Sequence, residues 1–179
     1  VSAAVEFFTV TGESQTYDES NQLLAGYIYL TTGPFTVGLE QPPLAKLLWA
    51  LPVALLNPSP PPQVGPADDP WRAGRWFLYH NRVPADTMLM AGRSCAIALS
   101  LLLGLAIAFW TKRYFGAIAG LGAVLIYAAD PNFLANGRYM KNDVAAALTI
   151  FVAAMIWGGY LVHAAAVSLS IPISIGDRT

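Results

Sequence analysis

Asp18 and Glu19 are adjacent acids at the head of a polar, proline-marked segment. A carboxylate there is suited to take a proton from an acceptor hydroxyl; the plain alternative is two solvated loop acids. Arg93 stands near the start of a long apolar run, about 7 Å in at 1.5 Å per residue. It either snorkels to the interface or grips an anion with two parallel hydrogen bonds. Lys46, shortly after Pro42-Pro43, is an interface cation or a phosphate contact. Arg138 and Lys141 precede a further apolar run, and Asp143 opens it, either as a helix-dipole partner or as a site acid. His80 and His163 have no partner at ligand spacing and read as non-catalytic. The single cysteine, Cys95, lies among apolar residues as packing, and excludes an internal disulfide or a multi-cysteine zinc site. No metal site stands out. The acidic pair with Asp143 has the oxygen ligands to hold a divalent ion such as Mg²⁺, yet Arg and Lys would neutralise a phosphate without one.

These residues must be held by a very apolar chain. Of 179 residues, 55% are hydrophobic and 12% charged, with mean hydropathy +0.48; soluble domains carry roughly 25% charged residues. The class expected is an integral membrane protein. The net charge of −1 gives no argument for a nucleic-acid partner. No signal-peptide pattern is present. The start at Val1, the short apolar stretch to Val10 and the unmarked end at Thr179 lead to the expectation of an N-terminal fragment of a longer protein.

Leu23, Leu24, Tyr27 and Leu30 recur at helical spacing, predicting a helix over 21–30 capped by Asp18 or Ser20 and ended by Thr31-Thr32-Gly33-Pro34. Residues 44–56 are an apolar run containing Pro52, too short for a span of about 20 residues, and read as a juxtamembrane or re-entrant helix. The proline-dense stretch 57–70 reads as loop. Trp71, Arg72, Arg75, Trp76, Phe77 and Tyr79 have the composition of a membrane interface. Three transmembrane helices are expected at 88–110, 115–135 and 144–163, with small residues such as Gly120 and Gly158 for close packing. The fold class expected is therefore all-α: one partial transmembrane domain over 1–179, a polytopic helix bundle whose large first loop, 1–87, carries juxtamembrane helices. The short stretch Thr111-Lys112-Arg113-Tyr114 is basic and without acid, which makes it cytoplasmic by the positive-inside rule. Asp18, Glu19, Glu40, Arg93, Asp130, Arg138, Lys141 and Asp143 then share the opposite, extracytoplasmic face.

Asp18-Glu19, the stretch Leu24-Ala25-Gly26-Tyr27-Ile28-Tyr29-Leu30-Thr31-Thr32-Gly33, and Glu40-Gln41-Pro42-Pro43-Leu44-Ala45-Lys46 resemble the first extracytoplasmic loop of protein O-mannosyltransferase-like glycosyltransferases. This polyprenyl-phosphate-sugar-dependent family also includes the lipid A aminoarabinose transferases. Asp130-Pro131-Asn132-Phe133-Leu134-Ala135-Asn136-Gly137-Arg138 and Asp143-Val144-Ala145 resemble its next outer loop and following span, so the resemblance covers about residues 15–160. It implies the glycosyltransferase C fold, a polyprenyl-phosphate-linked sugar donor, a protein, lipid or glycan acceptor, and inversion at the anomeric carbon. It implies Asp18 as base with Glu19 beside it, Arg93 at the donor phosphate and Asp143 lining the same site. Lys46, Arg138 and Lys141 are further candidates for the phosphate. Many relatives have His where this chain has Gln41 and Asn136. An integral protein of the inner or plasma membrane, with its site on the extracytoplasmic side, is the corresponding expectation. The rivals are a small-molecule transporter, which would pair interrupted helices in two halves, and a non-catalytic scaffold, in which Asp18, Arg93 and Asp143 would not converge.

Overall fold

The computed structural model describes residues 6, 8–10, 13–33, 35–65 and 68–170. Most of the stretch 1–12 and everything after 170 lie outside the described residues. Among the described residues from 19 onward there are seven helices: α1 (Glu19–Thr32), α2 (Pro43–Leu55), α3 (Pro70–Tyr79), α4 (Ala85–Phe115), α5 (Ala117–Ala129), α6 (Pro131–Asn136) and α7 (Asn142–Ser170). No strand occurs among the described residues, so the fold is all-α.

The hydrophobic core lies where α1, α2, α3 and the first half of α4 meet. Leu23, Leu24, Trp49, Val53, Phe77, Leu78, Met88 and Leu89 fill it, and Met140 closes it from the loop before α7. α1 is buried on almost every side from Glu19 to Tyr29, which explains its weak amphipathic pattern: it has no solvent face to mark. Two glycines permit this enclosure. A Cβ on Gly26 would run into the backbone carbonyl of Lys46 on α2, and one on Gly74 of α3 would lie 2.5 Å from the carbonyl oxygen of Ser20. Gly33 ends α1 at φ +85°, a conformation open to glycine without steric cost.

The aromatic and basic residues read from composition as a membrane interface lie on a helix, Pro70–Tyr79. Pro70 occupies the first helical position, where its missing N–H costs nothing, and Asp69 accepts from the Trp71 N–H at 3.0 Å to cap the end. The aromatic and basic residues thus form a docked helix.

Among the described residues, two helices are long and apolar enough to cross a membrane: Ala85–Phe115 and Asn142–Ala165. At 31 residues, α4 spans about 46 Å, against a hydrocarbon core of about 30 Å. The span expected at 115–135 is instead two pieces. α5 has 13 residues, about 20 Å. It stops at Asp130, whose Oδ1 accepts from Asn132 N and Phe133 N at 2.8 and 3.2 Å to start α6. Pro131 lacks the N–H that would continue the α5 ladder. The basic stretch 111–114 is also not a loop. It is the last turn of α4, where Lys112 and Arg113 complement the helix dipole, and the turn itself is Gly116 at φ +91°. Beyond a small cluster of Leu103, Tyr127 and Val144, the outer faces of α4, α5 and α7 expose Leu105, Phe109, Ile118, Ile126, Ile156 and Trp157.

Candidate functional site

The residues singled out above separate into two groups. Glu19, at the first position of α1, turns inward. Its carboxylate takes the guanidinium of Arg93 in bidentate fashion, Nε to Oε1 at 2.8 Å and Nη2 to Oε2 at 2.7 Å. The two side chains are 0% and 1% exposed. Glu19 also accepts from Thr16 N at 2.8 Å and Met140 N at 3.3 Å. The remaining guanidinium hydrogens go to the carbonyls of Val10, Glu13 and Ser14 at 3.4, 3.0 and 3.0 Å. A guanidinium has five N–H donors, and here each has an acceptor within the chain. Arg93 therefore clasps the segment before α1 to α4 and presents no free donor to a phosphate.

Lys46 is likewise occupied. It is fully buried, and its Nζ donates to the carbonyls of Gly38 and, at 3.2 Å, Gln41. It thereby folds the loop between α1 and α2 over itself. Burial holds its ammonium below the usual lysine range, partly offset by the Glu40 carboxylate. Glu40 accepts from Asn21 Nδ2 at 3.3 Å, a tether for the same loop. Arg138 pairs with Glu13 at 3.3 Å and donates to Thr9 at 2.7 Å. Tyr139, whose hydroxyl donates to Glu13 at 2.7 Å, sits within 5.4, 5.1 and 5.9 Å of Arg93, Arg138 and Lys141. One aromatic ring thus gathers three cations. Burial pushes the Tyr139 phenol up, and the Glu13 hydrogen bond adds to it.

The second group opens outward. Asp18 from the start of α1 and Lys141 and Asp143 from the start of α7 line one polar pocket of about 150 Å³, together with Gln22, Gln41 and Asn142. That is room for several waters or a small polar group. Lys141 makes no ion pair among the described residues; it lies over the Tyr139 ring and also lines the pocket. Gln41 is the hinge of the pocket wall: its Oε1 accepts from Gln22 Nε2 on α1 and, at 2.6 Å, from Asn142 Nδ2 on α7. The amide oxygens of Gln22 and Asn142 are buried without a partner among the described residues. A cation entering here would meet these oxygens and the two carboxylates, in competition with Lys141. No group of three or more His, Cys, Asp and Glu is arranged to hold a metal among the described residues.

Beside the polar pocket runs a groove of about 460 Å³ between α2, α4 and α7, lined almost wholly by apolar side chains including Leu44, Leu48, Leu99, Ala145 and Leu148. Pro42 and Asn142 border it, so the Gln41–Asn142 contact is the boundary between the polar and apolar spaces. Asn136 is turned to its own helix, donating to Asn132 O at 3.0 Å, and lines a smaller recess that also reaches Asp143.

Four residues at or beside the pocket carried little signal in the sequence. Gln22 stands one helical turn after Asp18 and could be placed on its face by spacing. Gln41 was visible only as a departure from a family pattern, and Asn142 not at all. Trp71, whose indole reaches Asp18, comes from 53 residues away. Compared with known proteins, the chain matches no family model, no curated protein and no solved structure.

Proposed function

We propose that this chain is part of a membrane glycosyltransferase that moves a sugar from a polyprenyl-phosphate donor to a hydroxyl acceptor on the extracytoplasmic face, with inversion, within a bundle of the glycosyltransferase C type. One observation carries the reading: a pocket holding Asp18, Lys141 and Asp143 adjoins an apolar groove, the two faces a phosphate on a lipid chain requires. Asp18 and Asp143 open on one pocket, which argues against a scaffold without chemistry, while Arg93 stays with Glu19 and does not join them there.

In this reading Asp18 accepts the acceptor's hydroxyl proton. The freed oxygen bonds to the anomeric carbon as the bond from that carbon to the phosphate oxygen breaks. The electron pair leaves on the polyprenyl phosphate, and the proton stays on Asp18. The glycosyl phosphate brings its own leaving group, so no strong acid is needed; Lys141 offsets the charge that grows on the departing oxygen. Asp143, in the first turn of α7, borders the same space. Glu19, Arg93, Lys46 and Arg138 support the site by holding the backbone that presents these groups. The prenyl chain fits the groove between α2 and α7.

The test is transfer from a polyprenyl-phosphate sugar by the full-length protein. Asp18→Asn is expected to abolish turnover while the donor still binds; wild-type transfer in that variant would sink the reading.

A further inference from the structure

Asp18 occupies the N-cap position of α1, where an aspartate ordinarily accepts from a backbone N–H two or three residues on. It makes no such bond. Its Oδ1 instead accepts from the indole Nε1 of Trp71 at 3.4 Å. The indole is itself fixed. Its backbone N–H is bonded to the Asp69 cap of α3. Its ring stacks on Tyr17, the neighbour of Asp18, with centroids 5.9 Å apart and planes at 28°. Three residues on, along the same helix face, Gly74 lets α3 lie directly against the Ser20 carbonyl. Any side chain at 74 would lift α3, and the indole with it, away from Asp18.

An indole N–H is a donor only. It marks one carboxylate oxygen without competing for the proton the other would take. The Oδ2 atom of Asp18 makes no hydrogen bond among the described residues, and Asp18 lines the pocket. We propose that Trp71 is the positioning residue for Asp18: its N–H holds Oδ1, so that Oδ2 turns to the pocket as the proton acceptor. This rests on the reading of Asp18 as the base. The 3.4 Å separation is long, as such bonds often are before substrate binds and tightens them. Lys141 and Asp143 are the other ionisable groups facing Asp18 across the pocket, so the experiment must separate their titration from that of Asp18.

Trp71→Phe keeps a ring against Tyr17 and removes only the donor. In transfer assays with the full-length protein, W71F is expected to lower kcat about tenfold, to leave the donor KM within about twofold, and to move the acid limb of the kcat profile to higher pH. A packing role alone would leave the pH profile where it is. Wild-type kcat and profile in W71F overturn the proposal. A second arm does not depend on turnover. With ¹⁵N-labelled indoles in detergent micelles, the Trp71 Nε1–H resonance, identified by its loss in W71F, is expected to titrate with pH in the wild-type protein and to lose that response in D18N. An Asp18-dependent titration upholds the pairing even if no sugar is transferred, in which case the glycosyltransferase reading alone falls. A resonance indifferent to D18N overturns it.

Discussion

Arg93 and Glu19, 74 residues apart in sequence, meet as a fully buried bidentate pair at 2.8 and 2.7 Å. The guanidinium's other hydrogens go to carbonyls just before α1. The pair therefore ties the entrance of α1 to the first turns of α4, and α1 carries Asp18 at that entrance. Removing either partner leaves a buried charge without compensation, a loss of about 3–5 kcal/mol. Glu19→Ala and Arg93→Ala are each expected to lower the unfolding midpoint in detergent strongly. The double change Glu19→Gln with Arg93→Met should recover part of the loss. A midpoint for Arg93→Ala equal to that of the wild type would show that the pair does not hold the fold.

Lys141 is the pocket cation without an ion pair among the described residues, whereas Arg93, Lys46 and Arg138 are all engaged. Lys141→Met is expected to raise the donor KM about tenfold, the loss of one charge-assisted contact, with Lys141→Arg retaining most of the affinity. Unchanged donor affinity in Lys141→Met would move the phosphate elsewhere.

The Lys46 ammonium is held low by burial, with Glu40 opposing the shift. The unfolded chain, with lysine near its ordinary value of about 10.4, binds more protons than the folded one between the two pKa values. Stability relative to a non-titrating variant therefore rises with pH across that alkaline window and is flat below it. Melting temperatures of wild type and Lys46→Met, compared from neutral pH to about pH 10, should show the wild type gaining on the variant as pH climbs. Parallel curves would mean that Lys46 stays charged in the fold throughout.

Lys112 and Arg113 lie in the last turn of α4, at the end opposite to Arg93. In a Cys95→Ala background, a cysteine replacing Arg113 should react with an impermeant thiol reagent only from the cytoplasmic side. One replacing Tyr17, which is 70% exposed, should react only from the other. Labelling of both from one side would overturn the expected orientation.

Much of the helical frame was legible in the chain. Apolar runs long enough to cross a membrane, Gly33 after α1 and Pro43 at the start of α2 are local signals, because hydropathy and backbone restriction act residue by residue. The division of 115–135 was hidden although Asp130-Pro131 marks it, since an apolar window does not report where the hydrogen-bond ladder stops. The helix over 70–79 was hidden because its buried residues, Gly74, Phe77 and Leu78, are few and its exposed face is rich in Arg and aromatic residues.

By itself the sequence determined that the chain is helical and suited to lipid, and that acids and cations cluster near helix starts. Only the tertiary structure decided which acid turns into the core and which lines the pocket. Asp18 and Glu19 are adjacent, and successive residues at a helix start point about 100° apart. One must face the core and the other the pocket. The direction is set by where α3 and α4 dock on α1, that is, by Gly74 against Ser20 and by Arg93 reaching Glu19 across 74 residues. Those contacts depend on shape and long-range pairing, which no local pattern around residue 18 encodes.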